Sequence, residues 1–73
     1  MSKADEMFEK LGYIKESDYY YHSRDEEIKH KHVRFLKNYK EVIVESALNF
    51  SYEITMQELQ AINAKVKELG WVE

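Results

Sequence analysis

The sequence predicts an α+β fold in which N- and C-terminal helices pack on one face of a small antiparallel sheet, in the order α-β-β-β-α. Apolar residues recur at helical spacing near both ends, and a glycine closes each pattern. The middle is rich in tyrosine and β-branched residues and lacks helical periodicity. We expect one domain over residues 1–73, with three strands, or four if residues 48–54 add a short one.

The first helix is predicted over residues 4–11. Its apolar residues recur at i, i+3, i+4 and i+7, and they are Ala4, Met7, Phe8 and Leu11. Ser2 is the expected N-cap, because its hydroxyl can accept from a free backbone N–H of the first turn. Gly12 is expected to end the helix in the left-handed conformation, and Tyr13 then folds back onto Phe8.

A capping box predicts the start of the second helix, because the side chains of Thr55 and Glu58 can each accept from the other's backbone N–H. Gly70 is expected to end this helix, with Trp71 reaching back toward Val66 as Tyr13 does toward Phe8. The predicted buried stripe consists of Met56, Leu59, Ile62, Val66 and Leu69.

A hairpin is predicted between residues 32–36 and 41–45, with a loop of two residues (38–39) or four (37–40), and both loops give the same register. The pairs in its register are Phe35 with Val42, Val33 with Val44, Arg34 with Ile43, and His32 with Glu45. The first two pairs share one face, which is the natural core face for the helices, and the other two share a half-polar face open to solvent. An earlier strand over residues 18–22 should join through a polar turn over residues 23–27.

These elements predict a single hydrophobic core between the sheet and the two helices. Its expected members are Phe8, Leu11, Val33, Phe35, Val42, Val44, Leu59, Ile62, Val66, Leu69 and Trp71.

Several function classes lack the residues they need. The chain has no cysteine, so a disulfide, a thiolate zinc site and a thiol nucleophile are excluded. The serines have no glycine elbow and there is no phosphate-binding loop, so we expect no enzyme, no catalytic residue and no cofactor. His22, His30 and His32 have chelating spacing, but a polar strand face explains them more simply, so no metal site is expected. Apolar runs are too short for a membrane span, and we expect a cytoplasmic protein.

Nucleic-acid binding is the alternative function. The stretch over residues 29–40 has no acidic residue and contains Arg34 together with the candidate phosphate contacts Lys29, Lys31, Lys37 and Lys40. The net charge of −3 and the glutamates of the open face argue against it. Lysines that protect an edge strand from aggregation explain the same stretch.

Protein binding is the preferred function. The open sheet face and the tyrosine strand combine aromatic, aliphatic and charged side chains, which is the mixture that interfaces favour. The candidate contacts are Tyr19, Tyr21, His32, Arg34, Ile43 and Glu45. The expected partner is an unknown protein, which the host cell could encode. A second copy of the chain is the alternative partner.

Both ends of the chain resemble a family of small uncharacterised proteins encoded by phages and prophages of Gram-positive bacteria. The similarity covers residues 4–13, A-D-E-M-F-E-K-L-G-Y, and residues 54–63 and 68–71, I-T-M-Q-E-L-Q-A-I-N and E-L-G-W. Many members end in a helix close to I-T-x-x-E-L-x-A-I followed by E-L-G-W. The resemblance implies a phage accessory protein in the cytoplasm of a bacterial host, acting by binding, inhibiting or redirecting a host or defence protein. It carries no catalytic or ligand residue.

Overall fold

A computed structural model describes residues 2–23, 31–46 and 54–72 of the chain. The elements follow the order α1 (Lys3–Lys10), β1 (Tyr13–Ser17), β2 (Tyr20–Ser23), β3 (Lys31–Leu36), β4 (Glu41–Ser46) and α2 (Met56–Glu68). The strands form one antiparallel sheet in chain order, β1-β2-β3-β4. The α+β architecture with terminal helices is therefore confirmed, and the sheet has four strands.

The additional strand is β1, which follows the first helix directly. Gly12 has a φ of 90°, so the chain reverses there and enters the sheet at Tyr13. The register with β2 is irregular between Lys15 and Ser17, where a β-bulge interrupts the pairing. Of the segment considered for a fourth strand, residues 48–53 lie outside the described residues.

The hairpin of β3 and β4 has the register that the sequence predicts. Phe35 pairs with Val42, and Arg34 pairs with Ile43 on the opposite face. The predicted strand over residues 18–22 is shifted by one to two residues and runs over Tyr20–Ser23. Within it, Tyr21 pairs with Val33 and therefore shares the face of the core.

Local capping accounts for the start of each helix. The Ser2 hydroxyl accepts from the Asp5 backbone N–H at 3.0 Å. At α2, the Glu58 backbone N–H donates to Thr55 Oγ1 at 3.0 Å and the Thr55 backbone N–H donates to Glu58 Oε1 at 2.8 Å. These reciprocal bonds confirm the predicted capping box.

Both helices end at a glycine with positive φ, whose N–H donates to the carbonyl three residues before it. Gly70 has a φ of 75°, and the Trp71 N–H donates to the Val66 carbonyl at 3.1 Å, which is the long bond of a Schellman ending. After Gly12, the Tyr13 ring lies edge-on to the Phe8 ring, with centroids 5.5 Å apart.

Both helices pack on one face of the sheet, around an aromatic core. Phe8 stacks on Tyr21 with ring centroids 4.1 Å apart, and Phe35 meets both rings edge-on. The buried apolar residues are Ala4, Phe8, Tyr13, Tyr21, Val33, Phe35, Ala61 and Ile62. Partly buried residues around them include Val42, Val44, Val66, Leu69 and Trp71.

The predicted buried stripe of α2 is wrong at its beginning. Met56 is 66% exposed and Leu59 is 39% exposed, whereas α2 buries Glu58, Ala61, Ile62 and Lys65. The helix faces the sheet with two charged residues because both have buried partners of opposite charge. Leu11 was also expected in the core but is exposed, since the chain turns away at Gly12.

Replacing Gly70 by alanine should lower the free energy of unfolding by about 1 kcal/mol, because an L-residue is strained at positive φ. No atom lies within 4 Å of the added Cβ, so crowding adds nothing. Gly70→Asn should lose less, since asparagine tolerates this conformation better. Urea unfolding of both variants measures the difference. Equal stability of Gly70→Ala and the parent would contradict the positive φ at this position.

Candidate functional site

One face of the sheet is not covered by either helix, and we call it the open face. Side chains alternate along each strand, so this face receives the residues that lie between those of the core. Its members are Ile14, Glu16, Tyr20, His22, His32, Arg34, Leu36, Glu41, Ile43 and Glu45. The open face is therefore mixed, with aromatic, aliphatic and charged side chains together.

The centre of the open face is a cluster of rings. His22 and His32 are cross-strand partners with ring centroids 6.2 Å apart and planes inclined by 29°. The Tyr20 hydroxyl hydrogen-bonds His32 Nδ1, and His22 Nε2 hydrogen-bonds the Glu16 carboxylate. Each imidazole is held through one nitrogen and Tyr20 through its hydroxyl, so the three rings form an ordered, half-buried aromatic surface.

A charged pair borders this cluster on the β4 side. Arg34 Nη2 donates to Glu45 Oε1 at 3.0 Å, and both side chains are about half exposed. Ile43 lies opposite Arg34 and is half-buried. An exposed ion pair of this kind stabilises a fold by less than about 1 kcal/mol, so both groups remain free to contact a partner.

The structure brings four of the predicted protein contacts together and separates two. His32, Arg34, Ile43 and Glu45 all lie on the open face. Tyr21 does not, because it is 0% exposed under Phe8. The expectation that Tyr21 contacts a partner is therefore corrected.

Tyr19 is separated from the open face as well. It lies in the turn before β2 and packs against the core, and Lys37 Nζ is 5.9 Å from its ring centroid. The residues that sequence reasoning missed are Tyr20 and His22. Alternation puts Tyr20 and His22 on the face opposite to Tyr21, but only the pairing of Tyr21 with Val33 shows that Tyr21 is on the core side.

The candidate nucleic-acid contacts do not form one patch in the described structure. Lys31 is 7% exposed, and its Nζ donates to Glu58 Oε1 at 3.0 Å in the core, so the expectation that it meets phosphate is corrected. Lys37 and Lys40 lie in the β3–β4 turn, away from the open face. Lys29 lies outside the described residues.

A buried ionic network lies on the other face of the sheet, beneath the helices. Asp5 of α1 accepts from the Tyr21 hydroxyl and from Lys15 Nζ at 3.0 Å, and Lys65 Nζ of α2 is 3.7 Å away. Burial alone would raise the pKa of Asp5, but these hydrogen bonds and the lysine charges outweigh it and hold that pKa far below its usual range. Burial and the bond to Asp5 raise the pKa of Tyr21.

Glu58 is the second centre of this network. It accepts from the Tyr13 hydroxyl and from Lys31 Nζ at 3.0 and 3.2 Å. Burial opposes ionisation, but the Thr55 backbone N–H, Tyr13 and Lys31 together lower the pKa of Glu58. Burial and the bond to Glu58 raise the pKa of Tyr13. The network joins both helices to the sheet through charged groups that satisfy one another.

A cleft of about 380 Å³ opens beside Asp5, between α1 and β1. Perturbed pKa values in a cleft are a common sign of a functional site, although structural ion pairs perturb them too. Here the buried carboxylate is already engaged by Tyr21, Lys15 and Lys65. The open face is the better candidate, because its polar groups border apolar surface and are accessible.

Within the described residues, no group of three or more histidine or acidic side chains is placed to hold a metal ion. No described helix is both long and apolar enough to cross a membrane. Comparisons with family models, with curated proteins and with solved structures find no match to the chain.

The network predicts the acid limb of stability. Folding lowers the pKa of Asp5 and of Glu58, so their stabilisation is present above the ordinary carboxyl pKa of about 4 and is lost as the pH falls below it toward the folded-state values. At neutral pH, Asp5→Asn should lower the free energy of unfolding by about 3 kcal/mol, because Lys65 keeps a buried charge without its partner. Its stability should also depend less on pH below about 4 than that of the parent.

Urea unfolding from neutral to acidic pH measures both effects. Glu9→Gln on the exposed side of the same helix is the matched control and should change neither. An acid limb of unchanged steepness in Asp5→Asn would contradict the role given to this carboxylate.

Proposed function

We propose that this chain is a small non-enzymatic protein-binding module that contacts its partner through the open face. The observation that carries the proposal is that both helices cover the same side of the sheet. On the other side, Tyr20, Ile43 and the paired histidines are partly accessible to a partner. A face meant only for solvent would carry mainly polar residues.

The composition of the open face supports a protein partner. Aromatic side chains and arginine are enriched in interfaces. Tyrosine buries a large area at little cost in conformational entropy, because its side chain has only two rotatable angles. The Tyr20 hydroxyl bond to His32 already orders both rings before binding. Arg34 and the glutamates at the border supply the polar rim that gives an interface its orientation.

The resemblance of the chain ends to phage and prophage proteins supports a setting for this module. We propose the cytoplasm of a Gram-positive bacterial host, with a host or defence protein as the partner that is inhibited or redirected. The buried residues of these segments, such as Phe8 and Ile62, pack the helices, and Thr55 caps α2, so we assign the choice of partner to the sheet.

Nucleic acid is the less favoured partner. On the open face, Arg34 is accompanied by three carboxylates, those of Glu16, Glu41 and Glu45. Phosphates would be repelled there, and Lys31 is committed to Glu58 in the core. A binder of nucleic acid would have to use the exposed turn lysines instead.

Capture from a Gram-positive bacterial lysate tests the proposal, with tagged protein and with or without nuclease. The parent should retain a defined protein after nuclease treatment, and Tyr20→Ala/Arg34→Glu should lose most of it, because both changes alter the open face. Mass spectrometry identifies the retained protein, and purified partner then gives the dissociation constants.

Tyr39→Ala/Lys67→Glu is the matched control, since it removes one tyrosine and reverses one charge at exposed positions elsewhere. It should capture as the parent does. Equal capture by both double variants would exclude the open face. Capture that disappears with nuclease would instead favour nucleic acid, and its affinity should then fall steeply with salt.

A further inference from the structure

The two edges of the sheet differ in how they are protected. At β1, a bulge interrupts the pairing after Lys15, and Lys15 itself is tied to Asp5 and Asp18 at 3.0 Å. Bulges and edge lysines are the usual devices that stop another strand from adding to a sheet. At β4, the pairing with β3 is regular over its whole length, and no described residue pairs with its outer side.

The side chains of β4 are covered only in part. Strand β3 alternates between buried and accessible residues, whereas Val42, Ile43 and Val44 are all half-buried. Among the described residues, α1, α2 and the other three strands contribute buried core residues, but β4 contributes none. Within the part of the chain that the structure describes, the helix-side surface of β4 is therefore an incomplete continuation of the core.

A shallow depression of about 520 Å³ follows this strand. Its lining consists of Arg34, Ile43 and Glu45 on the open face, together with Val42 and Val44 of β4. The depression therefore lies along β4 and is continuous with the open face at Arg34.

The charges beside this edge are acidic and incompletely paired. Within the described structure, Glu41 has no ion pair, and Glu45 is engaged by Arg34 through Oε1 alone. The two glutamates lie on the same face, on either side of Ile43. A strand with lysine or arginine opposite each glutamate would give both carboxylates an ion-pair partner.

The same charges oppose pairing with a second copy. The symmetric arrangement, with Ile43 opposite itself, would place Glu41 of each copy opposite Glu45 of the other. Like charges directly opposite each other destabilise a strand pair. Charge complementarity therefore selects a different partner.

We propose that β4 accepts an extended segment of a partner protein as an added strand, with basic residues opposite Glu41 and Glu45 and apolar residues over Val42 and Val44. Backbone hydrogen bonds to the outer side of β4, with which no described residue pairs, would supply affinity, and the flanking cations would supply specificity. This inference rests on the proposed function, because it gives the chemistry of the partner segment.

The test uses a short synthetic peptide, acetylated and amidated, with the sequence Thr-Lys-Val-Thr-Val-Lys-Thr. Its lysines have the spacing of Glu41 and Glu45, and its valines face the helix side. Titration into the isotope-labelled full chain, followed by NMR, should shift the β4 amides and slow their hydrogen exchange. Replacing both lysines by glutamate should weaken binding about tenfold, since two attractive cross-strand pairs become repulsive.

A peptide that is N-methylated at both valines and the central threonine should not bind, because it cannot donate the backbone hydrogen bonds. Glu41→Lys/Glu45→Lys should reverse the preference between the two peptides. Glu6→Lys/Glu9→Lys, the same charge change on exposed positions of α1, should keep the parent's preference. Equal binding of both peptides, shifts confined to β1, or no shift at β4 at millimolar peptide would overturn the inference.

The two proposals fail separately. Tyr20→Ala alone changes the open face on β2 and leaves Glu41, Glu45 and the depression beside β4 as they are, so it should still bind the lysine peptide. Peptide binding at β4 without any effect of Tyr20→Ala/Arg34→Glu on lysate capture would contradict the proposed function alone. Loss of capture in that variant, with no peptide binding at β4, would contradict the added strand alone.

Discussion

The fold depends on one buried carboxylate. Asp5 is 9% exposed and is contacted by the Tyr21 hydroxyl of β2, the Lys15 ammonium of β1 and the Lys65 ammonium of α2. Four elements thus meet at a single charge on α1. Burying a charge is costly unless its partners are in place, so these elements have one satisfactory arrangement. That arrangement puts both helices on the same side of the sheet, and the open face exists as its consequence.

Much of the architecture could be predicted because its signals are local. The capping box joins Thr55 to Glu58, and the hairpin register follows from the alternation of neighbouring residues around a short turn. Glycine at the two helix ends is a local requirement as well, since both positions have positive φ. Four of the predicted contact residues share the open face because they alternate within that same hairpin.

The parts that could not be predicted depend on partners distant in the sequence. Periodicity assigns charged residues to solvent, so it predicted that Met56 and Leu59 face the sheet. In the structure Glu58 and Lys65 face the sheet instead, because Lys31 and Asp5 there have the opposite charge. Three successive tyrosines show only that alternate residues share a face. The pairing of Tyr21 with Val33 decides which of the two sets is buried. Strand β1 has a bulge and a single buried residue, so its five residues carry little strand signal.

The contact between the first and last helices has a consequence for how the chain folds during synthesis. The Ala4 backbone N–H donates to Glu68 Oε2 at 2.8 Å, across 64 residues of sequence. Helix α1 has only eight residues, too few to persist alone in water. Until α2 has left the ribosome, Asp5 lacks Lys65 and the aromatic core lacks its cover. The nascent sheet therefore remains open, and folding completes only when α2 docks and closes contacts of high sequence separation.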